Sequence, residues 1–311
     1  MATTNGSGRP LVGYELRDWE VVDYHSFPLD GTDFWFRGPR PAHLDAGEYI
    51  VCLGAAQTYG CFCAQPFPAL LQQRLGRPVL NLGYGGAGPL FFLRRPELIE
   101  YVNRSRLAIV QVMSARSEDN RLFESGGLEQ LVRRSDGSSV SAAAAYASVL
   151  NGMFGRWRTR LLVAETRRNW IAHTQQLLDS IRVPRVLLWL SRRPPAYRER
   201  YSDVQALFGD FPQLVNEKMI AAVRHHADAY VECVTSRGSP QPLVSRFTGQ
   251  PTTIDPSQAG GVGRTSRPHA FNFYYPSPEM HEDAAAALEP TCDLLLPSNH
   301  WTARFDPEAG R

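Results

Sequence analysis

Tyr49-Ile50-Val51-Cys52-Leu53-Gly54-Ala55-Ala56-Gln57-Thr58-Tyr59-Gly60 is the stretch that decides how the rest of the chain is read. Five apolar residues in a row, ended by glycine, read as a strand buried on both faces. The glycine-bounded residues after it read as a tight loop leading into a helix. Pro66 to Leu75 carries Phe67, Leu70, Leu71 and Leu75 at helical spacing, with Gly76 as its stop.

The same alternation continues downstream. Pro78-Val79-Leu80-Asn81-Leu82 is a second predicted strand, Leu107 to Met113 a third, Val183 to Leu190 a fourth and Ala229 to Val234 a fifth. Helical patterns fall on Ala142 to Phe154, Glu165 to Ile181, Phe211 to Ala227 and His281 to Leu296. Strand and helix in alternation imply a parallel sheet with helices on both faces, an α/β three-layer sandwich. Residues 115–165 are the candidate for a helical insertion. Residues 236–270 are rich in Ser, Pro, Gly and Thr, with Gly260-Gly261-Val262-Gly263 in their midst, and read as a long loop, either a lid or disorder. Asp33 to Pro39 reads as a cover strand from an N-terminal arm. The expected organisation is a tail and arm over 1–45, one domain over 46–300 and a tail over 301–311.

Composition narrows the function classes. With 43% hydrophobic and 21% charged residues the chain is of ordinary globular make-up, and a net charge of +2 gives no reason to expect nucleic acid. Lys218 is the only lysine; the arginines reflect either a GC-rich coding bias or a need for guanidinium forks that hold anions. No apolar stretch is long enough to span a bilayer, and Met1 to Pro10 lacks an apolar core, so a cytoplasmic location is expected, with no membrane partner. Five cysteines without a signal argue against a disulfide framework, and Cys61-Phe62-Cys63 has no second ligand pair nearby, so neither a metal nor a cofactor is expected. His225-His226 reads as a satisfied or solvent-facing pair. Phe271, Phe273, Tyr274 and Tyr275 read as a sugar-binding surface or a core strand.

In an open α/β sheet ligands bind beyond the carboxyl ends of the strands. The loops there are Gly54–Gly60, Asn81–Gly88, Ser114–Asn120 and Ser191–Pro195, joined by Tyr274–His281. Their order resembles the blocks of the SGNH (GDSL-type) hydrolases, whose sheet is flavodoxin-like, over roughly residues 48–295. The GDSxxxG opening corresponds to Gly54–Gly60, the NxGxxG turn to Asn81, Gly83 and Gly86, the GxND loop to Ser114–Ser117, and the DxxH element to Pro278–His281. The resemblance implies His281 as catalytic base and Gly86 as part of the oxyanion hole. It also places Ala56 where the family has its nucleophilic serine, Arg116 at the oxyanion-hole asparagine, and Pro278, with Glu279 beside it, at the orienting aspartate. The chain also resembles an uncharacterised bacterial subgroup with a GAxTxG-like opening and a PSPEMH-like close, and that resemblance implies that alanine is the subgroup's ordinary residue at position 56.

A methyl group cannot attack an ester, and losing the nucleophile of a triad costs about 10⁶-fold in rate. Thr58 or Cys61 are the alternative nucleophiles, although a buried inert thiol is the commoner state of a free cysteine. The loops can also hold an anion without any nucleophile, through backbone N–H groups and arginines. The candidate catalytic residues are therefore His281, Glu279 and Arg116, and the candidate binding residues are Gln57, Thr58, Gly86, Asn81, Asn120 and Arg192. Arg121 and Arg193 belong to the same edge. Three functions remain open: an SGNH-like hydrolase or transferase with a rebuilt site acting on a carbohydrate or polar metabolite, a sulfotransferase-like enzyme using an anionic donor, and a non-catalytic protein that binds a small molecule or carbohydrate.

Overall fold

The computed structural model describes residues 10–255 and 268–296. Its centre is a five-stranded parallel sheet: β1 (Ile50–Gly54), β2 (Val79–Gly83), β3 (Leu107–Gln111), β4 (Arg185–Ser191) and β5 (Ala229–Val234). In space the strands run β2-β1-β3-β4-β5, all parallel. This is the flavodoxin-like order, and its switch point, where the winding reverses, lies between β1 and β3.

The strands are continuous apolar runs because each residue meets a helix layer on one face or the other. Val51, Leu53, Leu80, Leu82, Val110, Leu187 and Trp189 face α2 (Pro96–Arg104), α3 (Ala142–Leu150), α4 (Gly155–Ser180) and α5 (Glu217–Val223). Ile50, Cys52, Val79, Ile109, Leu188 and Cys233 face α1 (Phe67–Leu75) and α6 (Pro278–Leu295), through Phe67, Leu71, Ala284 and Leu288. Period-two alternation with both sides apolar is what two covered faces require.

Three helix boundaries differ from the sequence reading. The helix read as Ala142–Phe154 stops at Leu150, just short of Gly152. The one read as Glu165–Ile181 begins ten residues earlier, at Gly155; its first turns carry apolar residues on two opposite faces and so lack a single stripe. The one read as Phe211–Ala227 is cut to Glu217–Val223, because Pro212 precedes it and Asn216 caps it, the Asn216 side chain accepting from the Met219 N–H. The expected helical insertion over 115–165 begins instead as an antiparallel three-stranded sheet of Phe123–Glu124, Gln130–Arg133 and Ser139–Ser141; helix follows only from Ala142, in α3 and the start of α4.

The N-terminal arm is built into the domain. Trp35–Phe36 pairs with Phe27–Pro28, as a cover strand would. Arg37, 2% exposed, donates to the carbonyls of Tyr59, Gly60, Cys63 and Ala64 at 2.7–3.0 Å and so ties the arm to the chain after the first loop. Within the long loop, Gln241–Pro242 pairs with Phe271–Asn272. Gly260 to Gly263, residues 1–9 of the expected N-terminal tail and the expected tail over 301–311 lie outside the described residues. No helix among the described residues is long and apolar enough to cross a membrane.

Candidate functional site

The loops after β1, β2, β3 and β4 meet at the carboxyl edge of the sheet. Two glycines make that meeting possible. A Cβ on Gly54 would stand 2.1 Å from Thr58 Oγ1 and 2.5 Å from Gln111 Oε1, and one on Gly83 would stand 2.2 Å from the Tyr59 backbone nitrogen. The helical turn Ala56–Tyr59 is thus pressed directly onto the ends of β1 and β2. The glycines of both motifs have a packing reason independent of any chemistry.

Gln111, at the end of β3, is the hub beneath the turn. Its Oε1 accepts from Thr58 Oγ1 at 2.7 Å and from the Ala55 N–H at 3.2 Å, while its Nε2, fully buried, has no hydrogen-bond partner among the described residues. Asn81 donates to the Thr58 carbonyl at 2.9 Å and accepts from the Gly83 N–H at 2.8 Å, so it pins the first two loops together. Thr58 and Asn81 are both buried. Gly86, at φ 77°, accepts from Ser117 Oγ at 2.9 Å, joining the second loop to the third.

Beside this platform is a small, open recess with a cavity volume of about 20 Å³, lined by Gln57, Ser191, Arg192, Asp210, Phe211, Tyr274, Pro276 and Met280. Gln57 is 2% exposed, and its Oε1 lacks a partner among the described residues. Arg192 donates to the Phe273 carbonyl at 2.8 Å and lies 3.6 Å from Asp210. Tyr274, on the recess wall, accepts from Gln213 Nε2 at 2.9 Å; Gln213 in turn accepts from Ser114 Oγ at 2.6 Å. Arg116 is in electrostatic reach of Tyr274, Glu129 and Tyr14; it donates to Glu129 Oε2 at 2.5 Å, and its buried Nε has no partner among the described residues.

Other candidates lie apart from the recess. His281, fully buried in the first turn of α6, accepts at Nδ1 from the Phe67 N–H at 3.2 Å and stacks on the Phe67 ring. Burial, with the Arg37 cation as a lesser cause, pushes its pKa down to about 3, so it is neutral at physiological pH. Glu279 sits against Gly238, where an added Cβ would fall 1.9 Å from its Oε2. Asn120 accepts from the Leu122 and Phe123 N–H groups and donates to Thr166 Oγ1 on α4. Arg121 pairs with Glu165, and Arg193 donates to the Asp210, Pro212 and Val215 carbonyls. His226 pairs with Asp179 at 2.8 Å.

Ala56 is 5% exposed and belongs to an apolar cluster with Val22, Tyr24, Tyr59, Cys61, Phe62, Leu243 and Ile254. The arm supplies part of that cluster and anchors it with Arg17, which pairs with Asp18 and lies over the rings of Tyr14, Phe62 and Tyr275. Asp18 also accepts from Tyr24 OH. Burial pushes the Cys61 thiol up to about 12, which leaves it unionised. No group of acidic, His or Cys side chains suited to a metal occurs among the described residues.

A family model described as a domain of unknown function, DUF6473, matches residues 13–125 and 153–296. The chain belongs to this family. The DUF6473 match includes the arm from residue 13 onward and leaves out 126–152, which hold two strands of the small antiparallel sheet and α3. No curated protein matches the sequence. Among solved structures the chain is similar to TesA (16% identity, 80% of this chain and 100% of that one, TM-score 0.39). It is also similar to a catalytic mutant of Axe2, an acetylxylan esterase from Geobacillus stearothermophilus (13%, 78% and 93%, 0.37). A third is a carbohydrate esterase family 2 enzyme with a carbohydrate-binding domain from Corynascus thermopiles (Myceliophthora fergusii) (12%, 83% and 68%, 0.38).

The sequence reading missed Gln111, Gln213 and the cover formed by Arg17, Asp18, Tyr24 and Arg37. A signal existed for the first: Gln111 is the one amide in the apolar run Leu107–Met113. Nothing local marks the others, whose partners lie far away in the chain.

Proposed function

We propose that this DUF6473 chain binds a small hydroxylated ligand with an acceptor-rich group, a sugar acid or acylated sugar, in the recess beside the switch point, without forming an acyl-enzyme. The observation that carries this reading is Gln57 Oε1, a buried polar atom of the recess lining that has no hydrogen-bond partner among the described residues. Such atoms cost roughly 1–3 kcal/mol each when left unmet, so a ligand that meets them gains affinity. An unmet acceptor and the Arg192 cation on the same wall favour a ligand that brings hydroxyl donors together with an oxygen acceptor.

The surroundings of the other candidates support binding over hydrolysis. Ala56 is packed among apolar side chains, and His281 uses its one lone pair on a backbone N–H. General-base catalysis needs that lone pair within reach of the proton it removes. Thr58 and Asn81 act as struts of the platform, and Arg192 and Tyr274 as the rim of the recess.

The test is ligand-dependent thermal stabilisation with a panel of uronic acids, acetylated monosaccharides, inorganic sulfate and nucleotide-type anionic donors. A ligand at about 100 times its Kd adds about 2.7 kcal/mol. The expected result is stabilisation by a monosaccharide-sized acid or acyl sugar, lost in Gln57→Ala and Arg192→Ala. Release of acetate from the acyl sugars by the wild type would overturn the reading in favour of the rebuilt hydrolase. Stabilisation confined to nucleotide donors would favour group transfer.

A further inference from the structure

We infer that Arg116 is the docking point for a ligand carboxylate, and that the Glu129 side chain is a built-in competitor that holds this point until the ligand displaces it. The inference rests on the proposed function only for the class of ligand, a sugar acid, and adds an anchor next to the recess that Arg116 does not itself line. The carrying observation is a half-used guanidinium. Nε and Nη2 form the edge of an arginine that takes a carboxylate through two parallel hydrogen bonds. Here Nη2 donates to Glu129 Oε2 at 2.5 Å, while Nε is buried and has no partner among the described residues. Glu129 is the only carboxylate paired with Arg116 among those residues. A carboxylate free to choose its own position can fill both halves of the fork, and one tethered to the backbone at Glu129 fills one.

The room for the ligand is the space that Glu129 occupies. A Cβ on Gly86 would fall 2.9 Å from Glu129 Cγ and 3.3 Å from its Cβ, so this side chain fills the space over the Gly86 turn. The Glu129 side chain is 40% exposed and that of Arg116 18%, so the carboxylate is the more accessible of the two. Its departure needs only side-chain rotation. The backbone stays pinned, the Ala142 N–H donating to the Glu129 carbonyl at 3.0 Å and the Gly88 N–H to the Gly127 carbonyl at 2.8 Å. Ion pairs that reach solvent are individually weak, so a ligand can compete for this one. The rings of Tyr14, Tyr275 and Tyr274 adjoin in that order, with centroids 6.1 and 4.9 Å apart, and Tyr274 belongs to the recess lining as well. The cation and its cover also have different places in the family. Arg116, Gly86, Tyr14 and Tyr274 lie within the residues that the DUF6473 model matches, and Glu129 lies in the segment that it leaves out. A largely buried guanidinium is costly without an opposite charge, so when Glu129 turns away an anion from solution takes its place.

Titration calorimetry of the full chain tests this, with D-glucuronate as the probe and its methyl ester as the control that keeps the ring and loses the charge. A competitor that holds the fork about nine-tenths of the time weakens the apparent affinity about tenfold. Glu129→Ala should therefore bind glucuronate about tenfold more tightly than the wild type, Glu129→Gln should gain in the same direction, and neither should gain for the ester. Adding Arg116→Gln to Glu129→Ala should abolish the gain. Both Glu129 variants should keep the wild-type circular dichroism, because the side chain reaches solvent. Unchanged or weaker glucuronate binding in Glu129→Ala would overturn the inference, and so would an equal gain for the ester, which would make Glu129 a steric plug with no part in charge. Gln57→Ala and Arg192→Ala, each added to Glu129→Ala, separate this inference from the recess. A gain for glucuronate that survives both leaves the Arg116 site standing and removes the recess reading. No gain in Glu129→Ala, with binding still lost in Gln57→Ala, overturns the Arg116 site and leaves the recess reading in place.

Discussion

Acidification gives a direct reading of His281. Its imidazole is fully buried, and its pKa falls from 6.5 to about 3 on folding. The depressed value means that the unfolded chain takes up a proton at this residue that the folded chain refuses. The stability it contributes is complete above pH 6.5 and is lost as pH falls toward the folded value. Each pH unit in that window costs about 1.36 kcal/mol, so moving from pH 7 to pH 4 removes roughly 3 kcal/mol through this one side chain. Other groups titrate over the same range, and a difference removes them: the same pH change is applied to His281→Phe, which keeps an aromatic ring beside Phe67. At pH 7 the variant is the less stable, because the Phe67 N–H loses its acceptor. At pH 4 the gap should close by roughly 3 kcal/mol. Urea denaturation at both pH values measures it, and the imidazole proton shifts of His281 should stay constant between pH 8 and pH 5. If the ring titrates near 6.5, or if the gap between the two proteins is the same at both pH values, the burial argument fails and His281 returns as a candidate base.

Three further outcomes follow from the geometry. Gly83→Ala places a methyl 2.2 Å from the Tyr59 nitrogen and should cost about 3 kcal/mol in denaturant unfolding, in the range of overpacked cores. Ala56→Ser should leave activity on acetyl esters at background, since the new hydroxyl enters an apolar cluster and the His281 lone pair is occupied; a clear gain in p-nitrophenyl acetate turnover would contradict this. Glu118 is fully buried, pairs with His173 Nδ1 at 2.6 Å, and is pushed up to about 7, chiefly by burial; the carboxylate in turn raises His173. Both folded pKa values lie above the unfolded ones, so this pair stabilises the fold at low pH and less as pH rises from 4.5 through 7. Glu118→Gln should flatten that part of the stability profile measured by thermal melts.

The apolar runs at Ile50, Val79, Leu107, Arg185 and Ala229 determined the five strands and the sheet they form, because a strand covered on both faces must be apolar at successive positions. Gly54 and Gly83 were legible as the glycines that end two strands, and the reason only glycine fits there, the Ala56–Tyr59 turn pressed onto both strand ends, is visible only in the fold. Only the tertiary structure decided what the candidates touch. Asn120 and Thr58 look like ligand contacts in the sequence, yet their hydrogen bonds go to Thr166 and Gln111, partners that sequence spacing cannot reveal. His281 has the expected position in the last helix, but its ionisation depends on burial against Phe67, 214 residues earlier in the chain. Local pattern specifies elements, because periodicity is a property of neighbouring residues. Pairing, burial and charge state are properties of distant segments brought together, and at this carboxyl edge they come from the arm, the sheet and the last helix at once.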